Sequence, residues 1–281
     1  MEETKITETI IGLFQQKLTE EEKSDATKEK YLRDIRVFTE YCGEKELTKE
    51  TVVSYKQKLI ENGYAVRSVN SVIASLNSFF AFLGRHDLRV KSLKIQQQIF
   101  CPEEKELKRE EYKRLCQTAK TMKKDRLNLI LQTICGTGIR VSELRFITAE
   151  AVRHGAATVS LKGKTRTVFL VKSLQKKLLD FIRKKKIRTG PVFMTRHGNP
   201  ISRTEIWREM KRLCKGANVD PRKVFPHNLR HLFARVFYGI EKDIAKLADI
   251  LGHSSIDTTR LYIISSGTEH RRHMEQMKLI L

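Results

Sequence analysis

The chain is short of the features that would staple a fold, hold a metal or anchor it in a bilayer. Its 5 cysteines (Cys42, Cys101, Cys116, Cys135 and Cys214) are an odd count, with no Cys-x-x-Cys pair and no zinc-finger spacing. That pattern argues against a disulfide framework or structural zinc, and for reduced, buried thiols in a reducing compartment. No apolar run approaches the roughly 20 residues needed to cross a bilayer. The acidic start, Met1-Glu2-Glu3-Thr4, carries no apolar signal core. A cytoplasmic protein with no membrane partner is expected. No group of carboxylates suggests a two-metal nuclease, and neither an internal repeat nor a long low-complexity segment stands out. Acidic charge is also scarce: 33 Asp and Glu face 55 Lys and Arg, for a net charge of +22.

What is present points to a polyanion. The 281 residues, 40% hydrophobic and 31% charged, suffice for two ordinary globular domains with a real core. The positive excess is concentrated in one half. Residues 151–281 hold 28 Lys and Arg against 10 Asp and Glu, while residues 1–150 hold 27 against 23. Such an excess favours nucleic acid, because each neutralised phosphate releases condensed counterion. A basic surface kept for solubility, or one that meets acidic lipid, is the plainer alternative on charge alone.

Apolar periodicity predicts four short amphipathic helices in the first ~90 residues, a small bundle. Their stripes are Ile6/Ile10/Ile11/Phe14/Leu18, Tyr31/Leu32/Ile35/Phe38/Tyr41, Val52/Val53/Leu59/Ile60 and Val69/Val72/Ile73/Leu76/Phe79/Phe80/Leu83. Ser24 or Thr27 suits the cap of the second and Thr48 that of the third, with Gly63 and Gly84 closing the last two. Residues 91–108 are polar, of mixed charge, and contain Pro102, which makes them the expected linker. Helical periodicity returns at Tyr112, Leu115 and Cys116, and a denser apolar helix runs from Leu127 to Ile134. Thr158–Leu161 and Thr165–Val171 are rich in β-branched residues around Lys162-Gly163-Lys164, a β-hairpin with lysines at its tip. Helices resume near Ser173 and after Ser202 or Thr204. The expected fold is mainly α with a small β-hairpin. It divides into a helical domain (1–90), a linker (91–108) and an α+β domain (109–281).

Reactive residue types gather in the second domain. Gly136-Thr137-Gly138-Ile139-Arg140-Val141-Ser142-Glu143-Leu144 is followed by Pro226-His227-Asn228-Leu229-Arg230-His231. Leu251-Gly252-His253-Ser254 and Leu261-Tyr262-Ile263 complete the set. Arginine presents a planar fork of donors that fits two phosphate oxygens and stays charged at any working pH. Histidine exchanges a proton near neutrality, and an activated tyrosine hydroxyl can be a covalent nucleophile. Taken singly each segment has a bland reading. Arg140 could pair with Glu143 on the surface, with Glu143 making an ion pair worth little. His253 could be a cation at a helix C-terminus, and Tyr262 a packed aromatic. Leu229, Phe233, Phe237 and Ile240 form the expected core stripe of their helix, which leaves His227 and Arg230 free to lie off the core.

Taken together, in order and with Tyr262 nine residues after His253, these boxes resemble the motif set of the tyrosine recombinases, the phage-integrase family. The resemblance spans residues 136–262. It implies a SAM-like, four-helix DNA-clamping domain ahead of the catalytic domain, and a simple two-domain type without an extra arm-binding domain. It implies Tyr262 as nucleophile, Arg140 and Arg230 as phosphate ligands, and His227 as proton acceptor. His253 would be a hydrogen-bond donor to phosphate and Glu143 a supporting carboxylate. A hairpin lysine, Lys162 or Lys164, would be general acid to the leaving 5′ oxygen, Lys162 being favoured because it precedes Gly163. An unperturbed phenol titrates near ~10, so a cationic pocket is needed to favour the phenolate. The implied reaction cuts and rejoins double-stranded DNA at a recombination site through a 3′-phosphotyrosine link, with no metal or nucleotide cofactor. Two duplexes must meet, so a homo-oligomer is expected, a tetramer on DNA, with residues 265–281 docking on a neighbouring protomer. A type IB topoisomerase activity, or a non-catalytic DNA-binding regulator on the same scaffold, are the alternatives.

Overall fold

The computed structural model describes residues 6–94, 103–161, 163–263 and 274–277. The chain divides into two compact units, Met1–Gln97 and Gln98–Leu281. The expected mainly helical fold is present, with one small sheet among the described residues.

In the first unit, α1 (Glu8–Glu20), α2 (Asp25–Cys42), α3 (Lys49–Glu61) and α4 (Val66–Phe82) follow the four predicted stripes. The caps have simple causes. The hydroxyls of Thr7 and Thr48 accept from the backbone N–H of Ile10 and Thr51, satisfying first-turn donors that have no intrahelical partner. Ser24 is the N-cap residue of α2. The helices close over Phe14, Ile35, Phe38, Leu76, Phe79 and Phe80, all buried. Phe14 and Phe79 meet edge to face at 5.2 Å, as do Phe38 and Phe80 at 5.9 Å. One carboxylate enters this core: Asp34 is buried, pairs with Lys30, and accepts from Ser75 Oγ at 2.8 Å. The segment after α4 packs back on it, because the Asn77 and Asn70 side chains each bond the backbone of Val90 and Leu93 in both directions.

The second unit contains α5 (Arg109–Thr121), α6 (Asp125–Thr137), a 3₁₀ segment (Val141–Phe146) and α7 (Ala149–His154). β1 (Ala156–Leu161), β2 (Lys164–Phe169), α8 (Lys172–Lys185) and α9 (Arg203–Ala217) follow. α10 (Pro226–Glu241), α11 (Ile244–Leu251) and α12 (Ile256–Ile263) complete the described elements. β1 and β2 pair antiparallel from Ala156↔Phe169 to Leu161↔Lys164, so the hairpin forms where β-branched residues alternate. Ser202 caps α9 through its hydroxyl. The main core gathers Leu115, Ile130, Leu131, Ile134, Leu178, Phe193, Ile206, Met210 and Leu213 from α5, α6, α8, α9 and the segment between α8 and α9. A smaller cluster, Ala234, Leu247, Leu251 and Tyr262, joins α10, α11 and α12, and it is this cluster that positions the site.

Two expectations about α10 need correction. Ile240 is 78% exposed and leaves the core stripe: it lies in the last turn of α10, beyond Ala234, the last buried residue of that helix. Arg230 is the reverse case. It is 1% exposed and is among the largest buried side chains of the protein.

Candidate active site

The C-terminal end of α11 organises the site. A helix leaves its last carbonyls without intrahelical partners and carries partial negative charge there. Three arginines from three other elements satisfy them. Arg166 Nε donates to Ile250 O at 3.2 Å, Arg230 Nη2 to Leu251 O at 2.6 Å, and Arg140 Nη2 to Gly252 O at 3.3 Å. Gly252 closes the helix in the left-handed region at φ 65°. A Cβ there would stand 2.7 Å from Arg166 Cδ, so glycine is required both for the turn and for the approach of the guanidinium.

Glu143 is the second anchor. It lies at the end of the first motif, is 2% exposed, and receives Arg140 Nη1 at 2.9 Å and Arg166 Nη2 at 2.8 Å. Oε2, the oxygen that accepts from Arg166, also accepts the Arg140 backbone N–H at 2.9 Å. The reading of Glu143 as a weak surface ion pair is therefore replaced: it is a buried carboxylate shared by two cations. Gly138, at φ 66°, lets α6 meet α10. A Cβ on it would fall 2.5 Å from Phe233. Gly136, inside α6, meets nothing closer than 3.9 Å, so only one of the two motif glycines makes a tight approach.

Arg230 is held on several sides. Nη1 donates to Gly138 O at 2.5 Å, and Nη2 also lies 2.9 Å from His253 Nε2. Its Nε is buried and makes no hydrogen bond to the described residues. Burial, and then the charge of Arg140, bring its guanidinium down to about 10, with Tyr262 opposing. Arg166 is lowered by burial, with Glu143 opposing. Arg140 is the exposed member, at 37% of its side chain against 13% for Arg166.

Tyr262, on α12, is 7% exposed. Its hydroxyl is 3.1 Å from His227 Nε2, across from the start of α10. Pro226 at the first position of α10 fixes that start, and His227 and Arg230 share one helical face. His231, one turn after His227, stacks on the Tyr262 ring at 4.1 Å and 16°. The Arg230 guanidinium is 5.8 Å from the same ring. His253 is 4.9 Å from it, and its Nδ1 lies 2.8 Å from Thr259 Oγ1 on α12. Burial and the surrounding arginines push His227 below the usual imidazole range. Burial brings His231 to about 4, and burial and then Arg230 bring His253 to about 4. The arginines, not a histidinium, therefore balance the helix dipole, and His253 is neutral at working pH.

Arg140, Glu143, His227, Arg230, His253 and Tyr262 thus converge in one place. Lys162 lies outside the described residues, and of Lys164 only the backbone is described, at the start of β2. Three participants were not singled out from the sequence. Arg166 alternates with Val168 on the inward face of β2, a face that Leu170 continues just past the strand, so a charge at an apolar-face position was the available signal. His231 is four residues past His227, and Thr259 three before Tyr262, which places each on its partner's helical face.

Chemically, the site offers fixed cations, neutral imidazoles and a phenol. It can bind a tetrahedral oxyanion and exchange one proton at the phenol. Residues 105–269 match the phage integrase family, and residues 11–87 match its N-terminal SAM-like domain. The tyrosine recombinase XerA of Thermococcus kodakarensis is 30% identical over 96% of this chain and 96% of its own. The crystal structure of XerA recombinase superposes with a TM-score of 0.55 at 25% identity, covering 98% of this chain and all of that one. A lambda integrase tetramer bound to a Holliday junction gives a TM-score of 0.73 at 18% identity, covering 92% of this chain and 78% of that one.

Proposed function

The chain belongs to the phage integrase family and is a site-specific tyrosine recombinase; on that footing we propose that Tyr262 is its nucleophile and that the arginine cluster is its phosphate seat. The observation that carries the reading is the Tyr262 hydroxyl, 3.1 Å from a neutral His227 and beside the buried Arg230. His227 Nε2 takes the phenolic proton as the Tyr262 oxygen attacks phosphorus. A bond forms between Tyr262 Oη and phosphorus, and the bond from phosphorus to the 5′ oxygen breaks. The strand end is left as a 3′-phosphotyrosine. Lys162 or Lys164 protonates the leaving 5′ oxygen. A 5′ hydroxyl of the partner strand reverses the steps, so the bond energy is conserved and no nucleotide is spent. Removing one preorganised donor from an oxyanion-stabilising site costs ~10²–10³ in rate, the scale expected here for loss of an arginine. Arg140, the exposed member, contacts the phosphate first, with Arg230 and His253 behind it and Glu143 holding Arg140 in place.

The DNA partner is supported by the +22 net charge and its concentration in the catalytic half. The first unit is proposed to clamp the duplex. Strand exchange needs two duplexes, so the working form is proposed to be a tetramer on DNA, with residues 265–281 docking on a neighbouring protomer. That tail lies outside the described residues except for 274–277. Truncation after Ser266 should reduce assembly on DNA, and unchanged assembly would remove the tail from the account. The function itself is tested with two plasmid-borne copies of the DNA flanking the gene. Exchange of flanks with chelator present supports it. Relaxation of supercoils without exchange would mark a topoisomerase instead.

A further inference from the structure

Thr259 has no assigned role in the chemistry, yet it is completely buried one turn before Tyr262 and bonds a histidine of the site. The tautomer of His253 follows from its two partners. Arginine has no acceptor, so the contact between Arg230 Nη2 and His253 Nε2 at 2.9 Å requires a lone pair on Nε2. A neutral imidazole then carries its proton on Nδ1, which donates to Thr259 Oγ1 at 2.8 Å. In this state His253 is an acceptor toward the pocket. It cannot donate to a phosphate oxygen until Arg230 lets go of Nε2 and that nitrogen gains a proton.

We infer that Thr259 is a positioning residue that holds the Nδ1 proton of His253 in both states, so that Nε2 is the nitrogen handed from Arg230 to the phosphate. The inference rests on the reading of His253 as a phosphate ligand. When a phosphate oxygen enters, it draws the Arg230 donor away, and Nε2 takes one proton from solvent and donates it to that oxygen. The bond from Nδ1–H to Oγ1 persists throughout and is the stronger when the ring is charged. Around His253 stand Arg230 and His227 of α10, Arg140 ahead of the 3₁₀ segment, Arg166 of β2, and Tyr262 of α12, with Glu143 behind the two outer arginines. The cations oppose protonation in the free protein. Thr259 favours it once phosphate charge has arrived. Because Thr259 and Tyr262 share α12, the element that delivers the nucleophile also sets the tautomer of a phosphate donor.

The test is the rate of covalent adduct formation on a nicked duplex, followed from about pH 6 to 9. Wild type is compared with Thr259→Val, Thr259→Ser, His253→Ala and the Thr259→Val/His253→Ala double variant. DNA binding by gel shift and melting temperature are the folding controls, and Thr259→Ala replaces the valine variant if valine does not fold. Activity needs the protonated ring, so it falls as pH rises through the bound-state pKa of His253. Losing a charge-assisted partner lowers that pKa. Thr259→Val is therefore expected to move the alkaline limb down by about one pH unit, about tenfold in rate on the limb, with serine restoring it. In the His253→Ala background valine should add nothing. A uniform loss with the limb unmoved, or the same loss in both backgrounds, overturns the inference while leaving His253 as a ligand. No slowing by His253→Ala overturns that reading and this one together.

Discussion

The hydroxyl of Tyr262 lies 3.1 Å from His227 Nε2 of the same chain. The proposed nucleophile and its proposed proton acceptor therefore meet within one protomer, because α12 packs its buried face on α10 and α11 through Ala234 and Leu251. It follows that complementation between protomers should fail. In a mixture of Tyr262→Phe and Arg140→Ala proteins, every site lacks either the phenol or the exposed arginine. Cleavage of a nicked duplex should stay at the level of the single variants. Recovery of a large fraction of wild-type adduct would mean that the tyrosine is delivered from a neighbour.

Glu143 joins Arg140 and Arg166, and its removal leaves two cations facing each other at the C-terminus of α11. Glu143→Ala should destabilise the protein by about 3 kcal/mol, the cost of breaking a buried pair from one side. Cleavage should fall as well, because Arg140 loses its brace. Chemical denaturation followed by circular dichroism reads the first effect, and adduct formation the second. A change under about 0.5 kcal/mol, typical of surface substitution, would return Glu143 to the surface ion pair that its sequence context first suggested.

Gly138 and Gly163 both have positive φ, but a Cβ on Gly138 would stand 2.5 Å from Phe233, while one on Gly163 would meet nothing within 4 Å among the described residues. Gly138→Ala should cost more than Gly163→Ala, by about 1–3 kcal/mol, since overpacking adds to backbone strain at the first and is absent at the second. Equal melting temperatures for the two variants would contradict the close contact of α6 with α10.

His231 and His253 are both held near 4, below the usual imidazole value of 6.5. The unfolded chain binds more protons than the folded one between those values, so folding stability falls as pH drops from about 6.5 to about 4. Above about 6.5 the two states are equally deprotonated at these rings and stability is flat on their account. Melting temperature measured across that range should decline on the acid side, and His231→Gln should flatten part of the decline. An identical slope in the variant would remove His231 as a cause.

Much of this arrangement could be read from residue order. The apolar stripes of α1 to α4, the caps at Thr48 and Ser202, the β-branched hairpin and the spacing of His253 to Tyr262 are local, and local patterns survive in sequence. The burial of Arg230 was not legible, because it depends on carbonyls supplied by Gly138 and Leu251, 92 and 21 residues away. Its helix neighbours suggested only which face was apolar, not that a guanidinium would be sealed beneath it. Arg166 was hidden for the same reason: its partners, Glu143 and Ile250, belong to other elements. Ile240 erred in the opposite sense, since periodicity extends a stripe past the point where the packing partner ends.

The most direct test is mass spectrometry of the covalent species formed on a nicked duplex whose cut strand cannot be rejoined. The account predicts one adduct, a 3′-phosphate ester on the peptide containing Tyr262, formed with chelator present and absent from Tyr262→Phe. An adduct on any other residue, or strand rejoining that persists in the phenylalanine variant, would contradict it.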